Sequence, residues 1–309
     1  VKVFDLHCDT ITELCASGEN LVNNTRQLSL DRACFESYVQ TFAIFMPDQY
    51  RGQAAIDYFD RNLCYFKAQM ACYSSCIEQA YTGGDLSRIL HSGKAAAILS
   101  IEGGSALAGD LTRVPYLKQQ GVSFLTLTWN GENELGSGTV ANSRLTSFGR
   151  EAVAVLEQNG IIVDASHLSD NGFDDLLQIA TKPFVATHSN SRTVCAVPRN
   201  LRDDQFCEIV KRGGLVGINF YPVFLREQDV EKADFHDILR HVEHFLALGG
   251  ENTLALGSDF DGASMPADLN SIEKIANLYD FMVQSISDKI LVDKMFFENA
   301  YRFYQKNFR

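Results

Sequence analysis

Eight short runs rich in apolar and β-branched residues, each followed by a longer stretch with helical spacing, constrain this chain more than any other feature. The runs lie at 3–8, 39–45, 95–101, 122–127, 161–165, 183–187, 215–219 and 254–258. Helical patterns fill the intervals, among them 53–80, 148–159, 170–181, 203–212 and 235–249. Gly93, Gly121, Gly160, Gly213–Gly214 and Gly249–Gly250 stand where a helix should stop and a strand begin. Eight strands alternating with helices predict an α/β fold with a parallel sheet, and the count favours a closed (β/α)8 TIM-type barrel. The stretch 271–306 predicts two or three further helices packed on that barrel. No linker, repeat or low-complexity tract divides the chain, so residues 1–309 are expected to form a single domain.

A net charge of -12, with no run of basic residues, argues against nucleic acid as a partner. No GxGxxG follows the first strand, which counts against a dinucleotide site, and HExxH, P-loop and GxSxG signatures are missing too. Eight cysteines without a CxxC pair do not describe a disulfide scaffold. Cys72 and Cys76, four apart in a helical pattern, read as buried thiols. No leader-like or membrane-spanning run occurs, so a reduced, cytoplasmic setting without membrane attachment is the expectation.

In a TIM-type barrel, chemistry collects at the C-terminal ends of the strands. Here those ends carry His7-Cys8-Asp9, Glu102, His167, His188 and Asp259. His7 and Asp9 are two apart on an extended run, so both can reach one ion, and imidazole plus carboxylate suits a divalent metal such as Zn²⁺. Asp5 is expected to hydrogen-bond behind them rather than ligate. Glu102 follows an apolar strand, where a buried carboxylate needs a cation or hydrogen bonds, and its two oxygens could bridge two metals. Gly103 and Gly104 after it leave room for substrate or for backbone. His167 and His188 repeat one arrangement on consecutive strands. Either alone reads as a satisfied core histidine, but the pair reads as ligands. Asp261 is expected to structure its own turn. His241 and His244 read as part of a solvated helix face, and His91 as a helix C-terminal residue.

HCD near the start, Glu102 after a strand, His167 in DASH, His188 in THSNSRTVCAVPRN, and GSDFDG together resemble the membrane dipeptidase (renal dipeptidase) family, the M19 metallopeptidases of the amidohydrolase-like barrels. The likeness runs in order from Phe4 to ENAYRFY. It implies a binuclear zinc site, with His7 and Asp9 on one ion, His167 and His188 on the other, and Glu102 bridging. It further implies Asp259 as catalytic acid/base, Arg199 as the receiver of the substrate carboxylate, and dipeptide hydrolysis by a metal-bound hydroxide. Some members accept a D-residue at the C-terminal position, and many are homodimers. Manganese, cobalt or iron suit the same N/O ligands.

One departure stands out. Animal members carry a histidine after the fourth strand that touches the substrate oxygen, whereas here Trp129 takes the place and no histidine occurs between His91 and His167. Asn130 or the metals would then stabilise that oxygen, and Tyr221 and Trp129 read equally as pocket walls or as packing residues. Two alternatives to dipeptide hydrolysis are a barrel amidohydrolase acting on N-acyl amino acids or a lactone or lactam, and a non-catalytic metal-binding barrel.

Overall fold

The computed structural model describes residues 1–308; Arg309, the last residue of the expected domain, lies outside them. Its strands are β1 (Lys2–Cys8), β2 (Ser37–Phe45), β3 (Ile77–Gln79), β4 (Ala95–Glu102), β5 (Val122–Thr126), β6 (Ile162–Asp164), β7 (Val216–Ile218) and β8 (Leu254–Leu256). All pair in parallel in the order β6-β5-β4-β2-β1-β8-β7, with β3 attached outside β4. Bridges Asp164–Val185 and Ala186–Val216 join β6 to β7 through the 183–187 run, so the sheet curls into a ring of eight staves. That run therefore takes its expected place but forms only isolated bridges.

The helical pattern at 53–80 ends earlier, at Cys72, because the chain turns and enters β3. Helices at Ser147–Gln158, Asp170–Ile179, Asp203–Arg212 and Phe235–Ala247 match the periodic stretches closely. Gly213 and Gly249, with φ of 70° and 87°, end two of them in the left-handed region that a side chain would strain. Cys72 and Cys76 are exposed rather than buried, because they sit where the helix gives way to a turn.

Two apolar layers hold the ring. The outer one packs strand residues such as Ile44, Leu99, Val163 and Val216 under the surrounding helices. The inner one gathers Phe4, Leu6, Val39, Ile98, Phe124, Val185 and Ala255, and the C-terminal segment closes it with Phe297, Phe303, Tyr304 and Phe308. Each fully buried Phe contributes roughly 1.5–3 kcal/mol, so this aromatic base anchors one end of the ring. The Tyr304 hydroxyl completes it by donating to the Ala80 carbonyl. Side chains alternate along a strand, so the faces that carry Ile98, Phe124, Val185 and Ala255 present Glu102, Thr126, Thr187 and Asp259 further up. The interior is apolar below and polar above. Among the described residues no helix is long and apolar enough to cross a membrane.

Candidate metal centre and active site

The five strand ends converge. Glu102 sits at the centre: its Oε1 lies 2.7 Å from His167 Nε2 and 3.4 Å from His188 Nε2, and its Oε2 lies 3.6 Å from His7 Nε2. His7 Nε2 also faces Asp9 Oδ2 at 3.4 Å and Asp259 Oδ1 at 3.7 Å. His167 and His188 bring their Nε2 atoms to 2.9 Å of each other, and His7 stacks on His188 with centroids 3.7 Å apart. All of these side chains are buried.

Local structure aims them. His188 Nδ1 meets the Thr187 hydroxyl at 2.9 Å, and that hydroxyl donates onward to Asp164 Oδ2 at 2.6 Å. Asp164 also accepts from the Thr126 hydroxyl and from the backbone N–H groups of Ser166 and Thr187. The hydroxyl's own proton is committed to Asp164, so His188 carries its hydrogen on Nδ1 and leaves the Nε2 lone pair inward. His167 Nδ1 meets Asn130 Oδ1 at 3.0 Å and is oriented the same way. His167, Asp259 and Asp261 all hold positive φ, at 66°, 65° and 66°. Non-glycine residues adopt that region at a cost, aspartate and histidine more readily than most. Gly262 follows because a Cβ there would stand 2.0 Å from Asp9 Oδ2 and 2.7 Å from Asp259 Oδ1.

The electrostatics of the cluster call for a cation. Burial, and then the Glu102 carboxylate, push Asp9 up to about 6; burial also lifts Glu102 to about 7 and raises Asp259. Burial alone would lower His7, but Asp9, Glu102 and Asp259 outweigh it and push the imidazole up to about 10. Burial, with nearby positive groups, drives His167 and His188 well below the usual histidine range. Among the described residues, His7 Nε2 and Asp9 Oδ1 are buried without a hydrogen-bond partner. Such orphaned donors and acceptors are costly unless a ligand satisfies them. The residues fit divalent metal: His7, Glu102 and His188 form one group of ligand atoms, and His7, Asp9 and Asp259 another. Seven separate segments supply the centre and its supports, so it exists only in the closed ring.

The remaining expected residues fall around this centre. Asp259 Oδ2 accepts from Asn219 Nδ2 at 3.0 Å, and its other oxygen faces the cluster. Arg199 is 7% exposed; it donates to Ser189 Oγ at 2.9 Å and to the His188 carbonyl at 3.0 Å, under the Phe224 ring. Its Nε–H has no partner, and burial lowers the guanidinium to about 10. A cavity of about 480 Å³ opens over the centre, and Asn130, Trp129 and Tyr221 line it.

Two readings of the sequence change, while Asp5 is as expected: it accepts from His7 N–H and from the N–H and hydroxyl of Ser258 and belongs to neither group of candidate ligand atoms. Asp261 ties down a distant loop, accepting from Gln27 N–H, Leu28 N–H and the Thr10 hydroxyl, rather than structuring its own turn. His241 is not on a solvated face: it is fully buried, with Nδ1 accepting from Ser191 N–H and Nε2 at 3.1 Å from the Leu225 carbonyl. The room beside Gly103 and Gly104 is taken by backbone, at Met46 and Leu127. Sequence reading missed Thr12, Glu13 and Phe45 in the cavity wall, and the Asp164–Thr187 support. The Asp in VDASH was the one signal for that support.

The whole chain is similar to known proteins. Residues 1–307 match the family model described as Membrane dipeptidase (Peptidase family M19). An uncharacterised protein in the pqqA 5' region of Klebsiella pneumoniae is 30% identical over 257 residues, 80% of this chain and 95% of that protein. The crystal structure of dipeptidase AC, a family M19 metallopeptidase, matches with a TM-score of 0.93 at 28% identity, covering 100% of this chain and 99% of the other. A metallopeptidase from Rhodobacter sphaeroides, liganded with a phosphinate mimic of the dipeptide L-Ala-D-Ala, matches with the same TM-score at 26% identity over 100% and 99% of the two chains. The chain also matches two fungal dipeptidases, of whose length it spans about half.

Proposed function

The chain belongs to the membrane dipeptidase family, peptidase family M19, and from that premise we propose that it hydrolyses free dipeptides at two zinc ions held by His7, Asp9, Glu102, His167 and His188. Membership makes it a metallo-dipeptidase; zinc as the metal, two as its number and the residue roles below are our reading. The observation that carries it is the convergence of five N/O side chains on one buried point, with the Nε2 atom of His7 and Oδ1 of Asp9 left without partners. His7 and Asp9 would hold one ion, His167 and His188 the other, with Glu102 between. Metal bound there supplies Lewis acidity for the peptide carbonyl and a water whose pKa falls toward ~7.

The chain's own residues do the rest. Asp259 is held by Asn219 through one oxygen and presents the other to the cluster. Its burial-raised pKa suits it to take the proton of the attacking water and deliver it to the departing amine. Arg199, with two N–H groups engaged and Nε–H free, would receive the terminal carboxylate of the substrate. A carboxylate fixed there limits the substrate to two residues. Asn130 spends its oxygen on His167 and keeps its amide N–H groups for the substrate carbonyl, in place of the family histidine. Tyr221, edge-on to Phe224 at 4.9 Å, would wall the C-terminal side chain.

Hydrolysis of L-Ala-L-Ala, L-Ala-D-Ala and the matching tripeptides by zinc-loaded and chelator-treated protein tests this. Metal-dependent cleavage of dipeptides but not tripeptides is expected. Silence on dipeptides, with cleavage of N-acyl amino acids, would move the reading to that amidohydrolase class.

A further inference from the structure

Arg199 hangs from the end of the sixth stave of the ring, and β2 is the second, so the two lie on opposite sides of the barrel. A dipeptide whose carboxylate meets Arg199 must extend its N-terminal residue across the centre toward the ends of β1, β2 and β5. There the cavity is lined by Thr12, Glu13, Phe45 and Trp129. Phe45 and Trp129 pack edge to face, 4.8 Å between centroids, and make an apolar wall.

The carboxylates around this opening are not equivalent. Asp9 and Glu102 belong to the metal cradle, Asp259 is held by Asn219, and both oxygens of Asp261 are engaged by Thr10, Gln27 and Leu28. Glu13 differs. Its Oε2 lies 3.0 Å from Arg26 Nη1, but Arg26 also bonds Glu19 at 3.1 Å, so two carboxylates share one guanidinium and a negative charge is left over at the rim. Among the described residues that line the cavity none is a lysine or arginine, and Arg199 lies outside that lining.

Resting on the dipeptidase reading above, we propose that this half of the cavity is a subsite for a cationic N-terminal residue, with Glu13 as its specificity-determining carboxylate. A lysine or arginine lays its methylene stem along Phe45 and Trp129 and brings its charged head to Glu13. An acidic residue in the same place faces Glu13, whose charge the shared Arg26 offsets only in part.

The test is kcat/KM for Lys-Ala, Met-Ala and Glu-Ala, with whichever configuration of alanine turns over faster. Lysine and methionine have similar length, so their ratio isolates the charge. The wild type is expected to favour Lys-Ala over Met-Ala by about 3- to 10-fold, and Glu-Ala is expected to be slowest. Salt of about 0.5 M should shrink the Lys/Met ratio. Glu13→Gln should bring that ratio close to one, and Arg26→Gln, which removes the competing cation, should raise it. A ratio near one in the wild type, or one that Glu13→Gln leaves unaltered, overturns the proposal; the latter would mean that Glu13 serves the α-ammonium common to all substrates. Failure to cleave even Met-Ala with metal bound would instead overturn the dipeptidase reading, and this subsite with it.

Discussion

Two kinds of buried histidine lie within one barrel, and they differ in what their nitrogens meet. His241 is satisfied: Ser191 N–H reaches one nitrogen and the Leu225 carbonyl lies 3.1 Å from the other, both on backbone. At the rim, His7 Nε2 has no hydrogen-bond partner, while His167 and His188 point Nε2 at each other and at Glu102. Burial is equal, but completeness is not. A satisfied imidazole clips segments together, whereas an unsatisfied one next to carboxylates waits for a cation.

The comparison breaks most sharply at Asp259. Asp259→Asn keeps the shape and the Asn219 neighbour but cannot move a proton. A loss of about 10²- to 10⁴-fold in kcat is expected, with metal content retained. Turnover near the wild-type rate, with metal content measured by elemental analysis, would remove Asp259 from the proton path.

Next comes the satisfied histidine. Burial lowers His241 to about 4 in the fold, against an ordinary value of 6.5. The unfolded chain therefore binds this proton more readily than the folded one. Its contribution to stability is intact above about pH 6.5 and lost as pH falls toward about 4, amounting to roughly 3 kcal/mol at the lower end. Denaturant unfolding at fixed metal content should show His241→Gln with a shallower fall than the wild type over that window. Parallel curves would mean that His241 already titrates normally in the fold.

A smaller effect distinguishes support from ligation at the rim. Thr187→Val cuts the link from His188 to Asp164 without removing any cradle side chain. Metal affinity is expected to fall about 10- to 100-fold, read by competition with a chromophoric chelator. An unchanged affinity would show that packing alone, through the His7 stack, orients His188.

Much of this was legible before folding. The strand ends at His7, Glu102, His167, His188 and Asp259 could be found because a parallel barrel repeats one grammar, apolar run then polar end, and the structure gathers these residues at one rim. His241 misled because helical spacing reports only its own helix: Ser191 and Leu225 come from segments fifty and sixteen residues away. Asp261 misled for the same reason, its partners lying more than two hundred residues earlier. Cys72 and Cys76 failed because a periodic pattern ran through a helix end that β3 imposed.

The sequence by itself determined which residues stand at strand ends, and so the chemistry the rim can host, because periodicity and glycine stops are local properties of the chain. Only the tertiary structure decided which nitrogen of each imidazole points inward, which carboxylates are engaged and which is left over at Glu13. Those outcomes depend on hydrogen-bond partners from distant segments, and a buried polar group takes its role from whether such a partner arrives.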